Sequence, residues 1–150
     1  MGDTGQNTNL ASEYYVLSIL YRMNVNAYLT LGNKKSIDIV IDKNGETLTA
    51  DVKGLRGTSN FPIDNWNRKH KNHFLIFISF LNKINDLKCL PEVYIVPSTE
   101  LENEHKELGE KSIIYRNPKG NRTVVELSRL RKLKNKYRDK WDYFFDKKES

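Results

Sequence analysis

The chain has 150 residues, 38% of them hydrophobic and 29% charged, with a formal net charge of +6. Its mean hydropathy is −0.67, and its longest apolar run, Phe74–Leu81, falls far short of the roughly 18–20 residues of a membrane-spanning helix, so a single soluble domain over residues 1–150 is expected. One cysteine, Cys89, excludes an internal disulfide and fits a reducing, cytoplasmic setting.

The first eight residues are polar and are expected to be disordered. They carry neither the basic region nor the apolar region of a secretory leader. Asn9 is a suitable N-cap for a first helix from Leu10 to Met23. Its apolar residues Leu10, Tyr14, Leu17, Leu20 and Tyr21 recur at three- and four-residue spacing and predict the buried stripe. Glu13 borders that stripe. On the residues alone it reads as a first-turn acid complementing the helix dipole.

Ala27–Leu31 reads as a first strand, followed by a turn at residues 32–35. Ser36–Lys53 reads as a β-hairpin, because Asn44-Gly45 suits the two positive-φ positions of a type I′ turn. Counting outward from that tip pairs Lys43 with Glu46, Ile41 with Leu48, Ile39 with Ala50 and Ile37 with Val52. These last three pairs form one apolar face. On the other face Asp38 falls opposite Asp51, and Ser36 opposite Lys53.

Directly opposed side chains lie about 4.5–5.5 Å apart, where like charges destabilise a hairpin. Two facing carboxylates therefore call for a cation between them, most simply a divalent ion with hard oxygen ligands. Lys53 is two residues past Asp51 and shares its face. A carboxylate pair with an adjacent ammonium suits phosphodiester hydrolysis, in which a metal polarises the phosphate and acidifies water.

The pattern Asp38…Asp51-Val52-Lys53 resembles the PD-(D/E)XK nuclease superfamily, and is similar to its Holliday-junction-resolvase-like branch. The resemblance spans about Asn9 to Ser98. Ile37 stands where the family label has a proline. The resemblance implies an α/β fold: a mixed central β-sheet flanked by helices, with an αβββαβ core. It implies that Asp38 and Asp51 ligate Mg²⁺ or Mn²⁺, joined by the backbone carbonyl of Val52. Glu13 would hold a metal-bound water or a second ion, and Lys53 would position the attacking water. The implied activity is an endonuclease acting on nucleic acid, DNA before RNA, leaving 5′-phosphate and 3′-hydroxyl ends. A homodimer is left open. The alternative is a catalytically silent nucleic-acid-binding or assembly subunit that keeps the fold. A third reading is an interaction protein whose basic C-terminal part meets an acidic partner.

Residues 54–62 read as a loop beside the site, able to contact substrate. Asp64–Asn72 reads as a short helix or irregular turn, and its Arg68, Lys69 and Lys71 suit phosphate contacts and a solvated turn equally. Phe74–Phe80 is apolar on both faces and predicts a central fourth strand. Leu81–Leu90 reads as a loop and Glu92–Val96 as a fifth strand. Thr99-x-x-Glu102 fits a capping box opening a helix to about Leu108. Residues 111–116 and 123–125 read as short strands about a turn. A basic helix over residues 126–146 closes the chain, with Leu127, Leu130, Leu133, Tyr137, Trp141 and Phe144 as its core-facing stripe.

From Arg116 to Lys148 there are twelve Lys and Arg against four Asp and Glu. That asymmetry suits a polyanionic partner, since clustered cations release counterions from a phosphate backbone. His70 and His73 lack the further soft ligands of a zinc site and read as structural. The chain has neither a phosphate-cradling glycine loop nor a Gly-x-Ser-x-Gly elbow.

Overall fold

The computed structural model describes residues 4–30, 37–64, 71–116, 118–120 and 122–145. The sequence-predicted turn at 32–35, together with Ser36, Arg68, Lys69 and His70, lies outside them.

Helix α1 runs from Thr4 to Arg22 and buries Thr8, Ser12, Val16 and Leu20, one row at four-residue spacing. It begins well before Leu10, so Asn9 lies inside the helix and does not cap it. The predicted apolar stripe is also corrected: Leu10, Tyr14 and Tyr21 are 42%, 57% and 53% exposed. The cause is a close approach to the sheet. A Cβ on Gly54 would overlap Ser12 Oγ and stand 3.2 Å from the Thr8 carbonyl oxygen. Only the small side chains of the helix fit over that glycine, so they and not the tyrosines face inward. Their hydroxyls donate back one turn, Thr8 to Thr4 O at 2.8 Å and Ser12 to Thr8 O at 2.7 Å, which removes the cost of burying them. The helix ends where Asn24 turns left-handed (φ 58°) and Val25 N–H reaches back to Leu20 O at 2.9 Å.

Strands β1 (Asn26–Leu29), β2 (Ile39–Lys43) and β3 (Glu46–Leu55) follow. Asn44 and Gly45 both take positive φ, 52° and 82°, and the register is the one counted from that turn, from Lys43↔Glu46 to Ile39↔Ala50. Short β4 (Asn60–Pro62) leads toward β5 (His73–Ser79), every residue of which is buried. β6 (Glu92–Pro97) pairs antiparallel with β5, and β5 pairs parallel with β3 from Thr49↔His73 to Leu55↔Ser79. The five-stranded mixed sheet has the order β1-β2-β3-β5-β6. A second sheet, β4-β8-β7, joins β7 (Ile114–Arg116) and β8 (Thr123–Glu126) to the strand that sequence reading placed in a loop. The fold is thus mixed α/β, a central sheet flanked by helices, as expected.

Each face of the large sheet has its own core. Val16 and Leu20 of α1 pack on Ile39, Ile41, Ala50, Val52, Ile76, Ile78 and Phe144. On the opposite face Leu75, Phe77, Tyr94 and Val96 meet Phe61, Ile63, Val125, Leu130 and Tyr137. Between the fifth strand and the second sheet no helix opens at Thr99. A 3₁₀ turn, Ser98–Glu100, follows Pro97 without a side-chain cap, and another spans Lys106–Leu108.

The predicted C-terminal helix is broken. α2 (Leu127–Lys132) and α3 (Lys134–Tyr137) meet at Leu133, and a 3₁₀ turn follows at Trp141–Tyr143. Arg138 bridges to Tyr94, and Asp139 N–H donates to Val93 O at 3.0 Å. The chain therefore crosses the β6 edge of the sheet. Leu130, Leu133 and Tyr137 enter one core, while Phe144 enters the other and meets Phe74 edge to face at 5.0 Å. A straight helix cannot present one stripe to both faces of a sheet. Among the described residues no helix is long and apolar enough to cross a membrane.

Candidate metal and catalytic site

Asp51 and Lys53 alternate with Ala50 and Val52 along β3, so they leave the sheet on the face opposite α1. Lys53 Nζ lies 3.2 Å from Asp51 Oδ2. Asp51 is 4% exposed. Its Oδ2 is buried with no hydrogen-bond partner. The ammonium is close enough for an ion pair but lies outside hydrogen-bond geometry, so this oxygen keeps acceptor capacity that burial makes costly to leave unused.

Asp38 comes to the same place by a different route from the one expected. The β2–β3 ladder stops at Ile39↔Ala50, and Asp38 N–H donates to Ala50 O at 2.9 Å, one residue short of the register that would oppose Asp38 to Asp51. Ile37 and Val52 are accordingly not a ladder pair. Freed from the ladder, the Asp38 carboxylate turns into the sheet, and its Oδ2 accepts the Val52 N–H at 2.8 Å. The side chain substitutes for the carbonyl that a continued strand would have offered.

Burial, followed by a hydrogen bond to the Asp51 carboxyl, pushes Asp38 up to about 6. The Val52 N–H and the Lys53 charge act in the opposite direction but do not prevail. Neighbouring carboxylates cannot both be ionised cheaply, so Asp38 keeps its proton to a higher pH than an isolated aspartate. Glu13 on α1 is likewise raised to about 6, by burial first and by the charge of Asp38 second. Glu13 thus feels the charge of Asp38 from the helix.

The structure brings Asp38, Asp51 and Lys53 together, and Val52 takes part through its N–H. Among the described residues no three Asp, Glu, His or Cys side chains stand grouped closely enough to hold a metal ion. The donor set still suits a hard cation in kind: two neighbouring carboxylates, one with a buried unsatisfied oxygen.

Sequence reading missed a neighbour on this face. Thr49 Oγ1 and His73 Nδ1 lie 2.7 Å apart, across the β3–β5 pairing and two residues along β3 from Asp51. The alternation Thr49, Asp51, Lys53 was visible, but the parallel register that brings His73 beside Thr49 was not.

No family model matches the chain, and no curated protein matches it. Among solved structures, a bacterial homing endonuclease is similar at 17% identity and a TM-score of 0.46, over 64% of this chain and 70% of that one. A likeness of that degree does not identify a reaction.

Proposed function

We propose that the protein is a divalent-metal-dependent nuclease of the PD-(D/E)XK kind, hydrolysing phosphodiester bonds of nucleic acid, with DNA as the favoured substrate. The observation that carries this reading is Asp51 Oδ2, buried and unsatisfied beside Lys53 Nζ at 3.2 Å, with the Asp38 carboxylate fixed on the adjacent Val52 N–H at 2.8 Å. Such a cluster costs stability when nothing cationic occupies it, which is the arrangement expected of a site kept for chemistry.

Asp38, Asp51 and the Val52 carbonyl would hold the ion, with Glu13 on the helix holding a water bound to it. The ion, when bound, supplies positive charge that polarises a phosphoryl oxygen and acidifies water. Lys53 is anchored on a central strand and half-buried, so its ammonium is a fixed positive charge. It would orient the water oxygen that attacks phosphorus and stabilise the negative charge growing on the phosphoryl oxygens. The attack forms one P–O bond and breaks another. By resemblance to the family, the 3′ oxygen departs and takes up a proton, leaving a 5′-phosphate.

The test is cleavage of plasmid, linear duplex, single-stranded DNA, a four-way junction and RNA in Mg²⁺, Mn²⁺ or EDTA. Metal-dependent cleavage by wild type, lost in both Asp51→Asn and Lys53→Ala, is the expected result. Absence of cleavage with all five substrates in both metals would overturn the catalytic reading.

A further inference from the structure

Beyond Lys53, β3 runs straight into a seam between two loops. Phe80 N–H donates to Leu55 O and Asn82 N–H to Arg56 O, each at 2.8 Å, so the β3–β5 pairing continues into the loops that follow both strands. Ser79, fully buried, ties the seam from within. Its hydroxyl donates to Gly57 O at 2.6 Å and accepts the Leu81 N–H at 3.2 Å. Leu81 and Asn82 both sit in the left-handed region, φ 57° and 60°. Two successive non-glycine residues in that conformation persist only where the surroundings enforce it, and such strain gathers at functional sites.

The seam presents cations. Arg56 and Lys83 are exposed, and neither forms an ion pair with a described residue. They border a cleft of about 340 Å³ lined also by Asn82, Asn85 and Asp86. The basic C-terminal segment is arranged differently. Arg129 pairs with Glu126, Arg131 with Glu92 in two hydrogen bonds of 2.7 and 3.0 Å, and Arg138 with Asp139. Arg129 also donates to the carbonyls of Ser112 and Ile114. Arg129 and Arg131 thereby hold the chain's end to the two sheets, so these two cations serve packing.

We propose that this seam grips the nucleic-acid backbone, with Arg56 and Lys83 as its phosphate contacts; the assignment rests on the nuclease reading above. Arg56 lies three residues past Lys53 and one past the end of β3, so its Cα is at most about 10 Å from that of Lys53. That is about three nucleotides of rise along one DNA strand. A phosphate held there would fix the register of the chain whose scissile phosphate lies at Lys53, the positioning role that backbone contacts serve. The rigid backbone of the seam holds the two cations without ordering a loop on binding.

The experiment is binding of a short labelled duplex DNA in EDTA, followed by anisotropy across a salt series. The proteins are wild type, Arg56→Ala/Lys83→Ala and, as a comparison, Lys132→Ala/Lys134→Ala. Wild type is also assayed for metal-dependent cleavage. The first pair is expected to reduce the slope of log K against log salt by about 1.8, at about 0.9 for each lost contact, while the second leaves it unchanged. Arg56→Gln/Lys83→Gln, which keeps much of each side chain, is expected to repeat the loss at an unchanged melting temperature. An unaltered slope in a wild type that cleaves would overturn this assignment alone. A wild type that neither binds nor cleaves would overturn the nuclease reading and this one with it.

Discussion

Ser12 of α1 occupies the space that a side chain on Gly54 would need, one residue past Lys53. This contact sets the distance between the helix that carries Glu13 and the strand that carries Asp51. It also decides which face of α1 is buried.

Gly54→Ala is therefore expected to push α1 off the sheet. The cost should be about 1–3 kcal/mol, the range for overpacking a filled core. Thermal unfolding measures it, and Ser12→Gly in the same chain should restore part of the loss. Two losses that simply add would show that the two residues do not meet.

The acid cluster predicts an unusual pH trend. Asp38 and Glu13 both have folded values near 6, above their ordinary 3.8 and 4.5. The native state thus binds more protons than the unfolded chain between those limits. Their contribution is fully present below about pH 4 and is lost as pH rises through about 6. In EDTA, the melting temperature of wild type should fall more steeply from pH 4 to pH 7 than that of Glu13→Gln/Asp38→Asn. Parallel curves would mean the carboxyls are not coupled as described.

Metal should reverse that loss, because carboxylates must be ionised to bind it. Mg²⁺ or Mn²⁺ is expected to raise the melting temperature more at pH 8 than at pH 5. At a hundredfold excess over the dissociation constant the gain is about 2.7 kcal/mol. Asp51→Asn should lose this gain while unfolding in EDTA at or above the wild-type temperature, since it removes one of the two neighbouring carboxylates. A metal response equal in both proteins would place the ion elsewhere.

The C-terminal segment is a structural part of the sheet's packing. Phe144 is almost fully buried against Phe74, at the far side of the sheet from Tyr137. Phe144→Ala should cost about 3–5 kcal/mol, the usual loss for a core phenylalanine. At this chain length that corresponds to a fall in melting temperature of about 10 °C. A loss below about 1 kcal/mol would mean the segment is a detachable extension.

Much of the site is legible in the amino-acid sequence. Asn44-Gly45 dictates its turn through local backbone sterics, and a period of two then places Asp51 and Lys53 on one face and Ala50 and Val52 on the other. These are properties of adjacent residues, so the sequence alone determined them, as it did the strands of the large sheet. Four features were decided only by tertiary contacts. α1 buries Ser12 in place of Tyr14, because Gly54 admits nothing larger. Asp38 leaves the ladder because its carboxylate can take the Val52 N–H itself. His73 comes to Thr49 through a parallel pairing, which leaves no turn signal in the chain. The last helix breaks because its one apolar stripe serves two faces of a sheet. Helical periodicity reports that a stripe will be buried, but the partner that buries it, and where the chain must bend to reach it, are fixed by segments distant in sequence.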